Sequence, residues 1–263
     1  MTGFDRGSER GYYDSFFESA EARALDRGAG FQALRAAQAQ FIKRQIQTPA
    51  NVQTILSIGC GSGAIEQHMI DPRWQLFAFD LSFAGPALGR RQAQARGLAG
   101  LNFAQAAVSP LPVPGDRFDA VLALSVLHHL PVEQRERALR EARRVLRPGG
   151  WFVAYDPSRW RALRLAKWLV RRRYDLMHSP DEEELSPRAM QQLAAACGFA
   201  PARLIFFDYF IDPLTWLFPA LPPALFRVLY WLDRCLVRLP GRQLASNFFL
   251  IAQKPAPVTR GRP

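Results

Sequence analysis

The chain has 263 residues, 49% hydrophobic and 22% charged, a composition that excludes a disordered chain and suffices for a large buried core. Its 34 Lys and Arg against 23 Asp and Glu give a formal charge of +11, which fits an anionic partner or an arginine-rich bias with no partner behind it. Three scattered cysteines, Cys60, Cys197 and Cys235, support neither a disulfide framework nor a zinc site, so no metal is expected and a reducing cytoplasm fits best. The N-terminus lacks the apolar run of a signal peptide. No stretch of about 18 uncharged apolar residues predicts a simple membrane span.

Residues 1–50 are predicted to be a helical cap. Tyr12, Tyr13, Phe16 and Phe17 open an aromatic patch, and Phe31, Leu34, Phe41, Ile42 and Ile46 mark a second helical face. Thr48-Pro49 ends it. From there to residue 257 short apolar runs alternate with helical patterns. The expected strands are 52–58, 74–79, 101–104, 118–124, 151–155, 202–210 and 247–253. The expected helices follow the first turn through about Ile70, then span 83–96, 133–146 and 187–197. Arg147-Pro148-Gly149-Gly150 is expected to be a turn, and residues 258–263 a disordered tail. This alternation predicts an α/β, Rossmann-like three-layer sandwich, with ligands bound beyond the carboxyl ends of the strands.

Two features point to a nucleoside ligand. Gly59, Gly61 and Gly63 follow the first strand directly, where glycines let a ligand approach the backbone. Asp80 ends the second strand about 20 residues on, where a carboxylate can accept from ribose hydroxyls. Ala64 replaces the last glycine of a dinucleotide fingerprint, no lysine has a tyrosine four residues before it, and no phosphate-binding GxxxxGK motif occurs.

Four segments in order carry a resemblance: SIGCGSG at 57–63, FAFDLS at 77–82, FDAVLALSVLHHL at 118–130 and RVLRPGGWF at 144–152. Over about residues 52–157 the chain resembles the class I S-adenosylmethionine-dependent methyltransferases. It is most similar to the small-molecule branch that includes quinone-biosynthesis enzymes. The resemblance implies a seven-stranded, mostly parallel sheet with an antiparallel last strand, and S-adenosyl-L-methionine as cofactor. It implies that Ser57, Gly59, Cys60, Gly61 and Gly63 shape the cofactor loop, that Asp80 binds ribose and that Leu81 packs on adenine. Gln105 and Ala106 would stand near the adenine amino group, and Leu124 and Ser125 near the methyl group. Two positions depart from the family: Ser57 and Ala106 stand where an acid is frequent.

Candidate catalytic residues are His128 and His129 after the fourth strand, and His178 in the irregular stretch beyond the fifth. In the family the histidine pair often caps the next helix instead. Tyr155 and Asp156 end the fifth strand and point at the site by topology. Tyr12 and Tyr13 fit either a lid over the cofactor or packing of the first helix.

Residues 158–173 hold seven cations and no acid, interleaved with Trp160 and Trp168, as suits an anionic membrane surface. Residues 211–243 form an apolar, proline-rich insertion, with a helix at 224–239 that carries Arg227, Arg234 and Arg238 on one side. Its apolar faces need a cover: a bilayer surface or lipid-like substrate, the domain's own core, or a second copy in a homodimer. The leading expectation is methyl transfer to an apolar or lipid-linked small molecule, in the cytoplasm or peripherally on the inner membrane face. RNA methylation and cofactor binding without catalysis stand as alternatives. Against RNA, no appended binding module or base-stacking platform is visible.

Overall fold

The computed structural model describes residues 6–46, 53–159 and 182–256. Val52, most of the basic stretch at 158–173, His178 and the tail at 258–263 lie outside the described residues. Three helices come first, α1 (Arg6–Glu18), α2 (Ala20–Arg27) and α3 (Ala29–Gln45). Then follow β1 (Gln53–Ile58), β2 (Trp74–Asp80), α4 (Ala84–Ala95), β3 (Leu101–Gln105), β4 (Phe118–Leu124), α5 (Val132–Val145) and β5 (Leu146–Pro157). The last part holds α6 (Pro187–Ala196), β6 (Arg203–Asp208), α7 (Ile211–Leu217), α8 (Pro223–Leu236) and β7 (Asn247–Gln253).

The strands make one seven-stranded sheet in the order β3-β2-β1-β4-β5-β7-β6. β1 to β5 pair in parallel, and β7 runs antiparallel to both its neighbours. This is the expected α/β architecture. The central strands are buried on both faces, which explains why QTILSI and FDAVLAL read as nearly continuous apolar runs. Alternate residues feed two cores. Leu56, Ile58, Val121 and Phe152 pack with Leu139 and Val145 of α5 and Met190 of α6. Ile55, Leu122, Val153 and Phe249 pack with Leu34 and Ile42 of α3 and with Ile211 and Phe226 of α7 and α8. The connection reverses direction between β1 and β4, so a crevice opens there at the carboxyl ends of the strands.

Two local expectations are corrected. After the glycine loop the helix expected through Ile70 is a single 3-10 turn, Glu66–His68. Gly59, Gly61 and Gly63 take φ of 66°, 53° and 68°, and a new turn begins at Asp71, so the intervening segment is too short for regular helix. The segment Arg147–Gly150 is not a free turn but part of β5. Leu146 pairs with Phe118, and the register then shifts so that Trp151 pairs with Ala120. The helix expected at 224–239 stands as α8, and α7 precedes it in the insertion, with Pro213 tolerated in its first turn.

The N-terminal helices are clamped to this insertion. A Cβ at Gly28 would stand 2.4 Å from Pro219 Cβ, so only glycine fits the α2–α3 joint. The N–H groups of Gly30 and Phe31 both donate to the Pro219 carbonyl, at 2.8 and 3.2 Å.

Candidate active site

A cavity of about 340 Å³ fills the crevice, a size suited to a small ligand. Gly59 to Ser62, Asp80, Leu81 and Leu124 to Val126 form one wall. Tyr13, Phe16 and Phe17 of α1, Phe31 and Arg35 of α3, and Pro213, Trp216 and Leu217 of α7 line the rest, with other residues. The ring of Phe17 lies against the loop: a Cβ on Gly61 would come within 2.7 Å of Phe17 Cζ.

The loop is held by Asp80. Its Oδ2 accepts the Gly61 N–H at 2.7 Å and its Oδ1 the Ser82 N–H at 2.8 Å. A carboxylate offers about four acceptor positions, so the group can hold the loop and still receive two hydroxyls. Burial pushes its carboxyl above the ordinary range. Asp14 of α1 reaches the same region. Its Oδ1 accepts from the N–H groups of Phe83 and Ala84 and from the Ser82 hydroxyl, so it caps α4 from a distant helix. Burial alone would raise the Asp14 carboxyl, but those donors outweigh it and hold it low.

Ser57, the first departure from the family pattern, donates from its hydroxyl to Glu66 Oε1 at 2.5 Å. Glu66 is 2% exposed, lines the cavity, and is pushed upward by burial. A carboxylate therefore does stand beside the end of β1, delivered by the 3-10 turn instead of by the strand.

The histidine pair faces the cavity from the turn after β4. His128 Nδ1 stands 2.8 Å from Asp156 Oδ1, and the His128 N–H donates to the same oxygen at 3.2 Å. Burial drives the Asp156 carboxyl well above its usual range. The Tyr13 hydroxyl lies 3.0 Å from His129 Nδ1, and Glu182 Oε1 lies 3.4 Å from the same atom. His128, His129 and Glu182 bring donor atoms within 4.8 Å of one another, a spacing one ion can bridge. The N-cap position of α5 is Pro131, which offers no side-chain cap.

Of the residues singled out from sequence, Gly59, Cys60, Gly61, Asp80, Leu81, Leu124, Ser125, His128 and His129 line the cavity together. Ser125 adopts a left-handed φ of 58° there, an uncommon conformation for serine. Ser57 and Gly63 stand behind the wall. Gln105 turns its amide to the Leu81 carbonyl at 2.9 Å, the Ala106 N–H donates to the Asp80 carbonyl, and Ala107 and Val108 line the cavity instead. Tyr155 turns away, donating its hydroxyl to Asp208 at 3.1 Å. Tyr13 reaches the site, whereas the buried Tyr12 hydroxyl has no hydrogen-bond partner among the described residues. Sequence reasoning missed Asp14, Glu66 and Glu182, none of which belongs to a recognisable motif. Among the described residues, no helix is long and apolar enough to cross a membrane.

Comparisons with known proteins agree with this geometry. Residues 56–154 match the family described as a methyltransferase domain. A 27-O-demethylrifamycin SV methyltransferase of Amycolatopsis mediterranei is 32% identical over 157 residues, covering 56% of this chain and 49% of that protein. A ubiquinone/menaquinone biosynthesis C-methyltransferase of Edwardsiella ictaluri is 29% identical, covering 44% of this chain and 47% of the other. The chain thus spans about half the length of these relatives. A methyltransferase structure from Thermotoga maritima, described as S-adenosylmethionine-dependent and a possible histamine N-methyltransferase, superposes with a TM-score of 0.61. It is 16% identical and covers 92% of this chain and 98% of that one.

Proposed function

We propose that this chain, whose residues 56–154 match a methyltransferase domain, uses S-adenosylmethionine to methylate a hydroxyl group on an apolar small molecule. The observation that carries the reading is a cavity lined both by carboxylates, among them Glu66 and Asp80 beside the glycine loop, and by aromatic and aliphatic residues of α1, α3 and α7. The residues fit the cofactor. Asp80 has acceptor positions left for ribose hydroxyls, Leu81 and Val108 offer apolar surface to a base, and Glu66 offers a buried carboxylate to an ammonium. Burial disfavours the charged form of both acids, and a cationic ligand is what would favour it. When bound, the cofactor supplies a methyl group already activated on a sulfonium.

The protein then has to orient the acceptor, exclude water and take one proton. Phe16, Phe17, Phe31 and Trp216 make an apolar enclosure that favours an apolar acceptor and keeps water out. His128 is the base. Asp156 beside Nδ1 would favour the tautomer with its proton there, and Nε2, 4.0 Å from Glu182 Oε2, would then receive the hydroxyl proton. The Asp156 carboxyl then stabilises the imidazolium. Tyr13, His129 and Glu182 hold the acceptor oxygen side of the cavity in register through their mutual contacts.

Calorimetric titration with S-adenosylmethionine and S-adenosylhomocysteine tests the cofactor half of the reading, with Asp80→Ala as control. Micromolar binding by the wild type, lost in the variant, is expected. A radiolabelled methyl screen against lipid-extractable alcohols and phenols tests the acceptor half. Absence of cofactor binding, or transfer confined to polar acceptors, would sink the corresponding half.

A further inference from the structure

Of the ten large apolar side chains that stand exposed among the described residues, eight lie between Phe218 and Leu244. They are not scattered. Leu225, Val228, Leu232, Leu236 and Leu239 recur at spacings of three and four and so form one stripe along α8 and its end. Trp231, 64% exposed, lies beside the stripe. The opposite face of the helix is anchored: Phe226 and Val237 are buried, and Asp233 accepts the N–H groups of Tyr209 and Phe210. The outward face is therefore fixed and apolar.

Its charges have one sign. At 100° per residue, Arg227 and Arg238 fall on the same side of α8 as Trp231, and both are exposed, as is Arg242. From Pro213 to Leu244 the sequence has one acid, Asp233, which is fully buried. The patch is also continuous with the cavity. Trp216 and Leu217 of α7 line it, and the next residue, Phe218, is 58% exposed.

We propose that the outward face of α8, with Phe218, seats the protein on an anionic lipid bilayer. The acceptor then enters the cavity from the lipid phase along α7. The delivery step rests on the methyl-transfer reading, whereas the docking face does not. An apolar stripe edged by arginines is the pattern of a helix lying in a membrane interface. The stripe spans roughly 21 Å of helix, within an interface and too short to cross a bilayer. A second copy of the chain fits less well, because a two-fold contact on this face would set arginine against arginine with no exposed acid to separate them.

The test is co-sedimentation of the full chain with phosphatidylcholine vesicles and with mixed phosphatidylcholine–phosphatidylglycerol vesicles. The wild type should bind the mixed vesicles and lose binding at high salt. Trp231→Glu should lower the partition by about tenfold or more. The double variant Arg227→Glu/Arg238→Glu should lower it by more than the roughly fivefold expected for one lost cation at an anionic surface. Because these side chains face outward, both variants should keep the wild-type melting temperature and cofactor affinity. Three outcomes overturn the proposal: no binding to mixed vesicles, binding that Trp231→Glu leaves unchanged, or a wild-type dimer in sedimentation equilibrium that Trp231→Glu converts to monomer. Vesicle binding without cofactor binding would remove the methyl-transfer reading and leave the docking face. Cofactor binding without vesicle binding would do the reverse.

Discussion

Replacing Glu66 by Gln separates the cofactor's amino-acid end from its nucleoside end. Glu66 accepts from Ser57 at 2.5 Å and is 2% exposed on the cavity wall. An amide of the same shape keeps an acceptor for Ser57 and removes only the charge. A hydrogen bond to a charged group is worth roughly 1.5–3 kcal/mol, so S-adenosylmethionine and S-adenosylhomocysteine should bind about 10- to 100-fold more weakly. 5′-Methylthioadenosine, which has the adenosine and sulfur but no ammonium, should bind the variant as it binds the wild type. Stability should move the other way. Burial raises the Glu66 carboxyl above its ordinary range, so its ionised form opposes folding, and the cofactor-free variant should melt no lower than the wild type. Calorimetric titration of the three ligands and a thermal melt make the full test. Equal weakening of all three ligands would refute the assignment, since the residue would then be shaping the loop and not meeting the ammonium.

Other expectations follow from the same geometry. Asp156→Asn should lower kcat by roughly 10²–10⁴-fold with the cofactor dissociation constant unchanged, because it spoils the tautomer of His128; an unchanged kcat would exclude His128 as the base. The same assay with a chelator should run at the full rate, since the proton transfer needs no ion. Loss of rate that zinc restores would instead make His128, His129 and Glu182 a metal centre. His68 is lowered to about 4 by burial and by Arg96. The fold therefore prefers its neutral form, and its contribution is complete above the unfolded value near pH 6.5 and is lost as pH falls from there toward 4. Discounted for partial exposure, the loss should be about 2 kcal/mol. His68→Gln should flatten that limb of the denaturation profile, and an unaltered acid limb would assign the sensitivity to other groups.

The sheet was legible because its chemistry is local. Strands β1, β2 and β4 show uninterrupted apolar runs, and the glycine loop and Asp80 occupy fixed places at strand ends. The site was legible to the same depth: the wall built by β1, β2 and β4 is the one the motifs mark. What escaped is what long-range contacts decide. Nothing in the sequence around Asp14 says that it caps a helix 70 residues on. Nothing in AIEQHM says that its glutamate will reach Ser57, because the expected helix would have turned that side chain elsewhere. Gln105 keeps its Oε1 as an acceptor while its Nε2–H donates to the Leu81 carbonyl, a contact that nothing local announces. The exposed stripe of α8 was visible as an apolar helix needing a cover, yet only packing tells which face the domain itself covers.

The contact between Gly28 and Pro219 also bears on the order in which the protein assembles. The cavity's far wall comes from two segments distant in sequence, residues 13–35 and 212–217, which meet at the Pro219 carbonyl, at the Arg35–Asp212 ion pair and where Phe31 and Trp216 touch edge to face. The first helices already meet β1, the glycine loop and α4, but this joint waits for the segment around Pro219. Such a late, long-range closure gains little from local contacts and is the natural place for opening at low cost while the sheet stays paired. A ligand that touches both walls then acts as a rivet, so the backbone amides of Gly30 and Phe31 should gain protection from solvent exchange when it binds, ahead of any change in the strands.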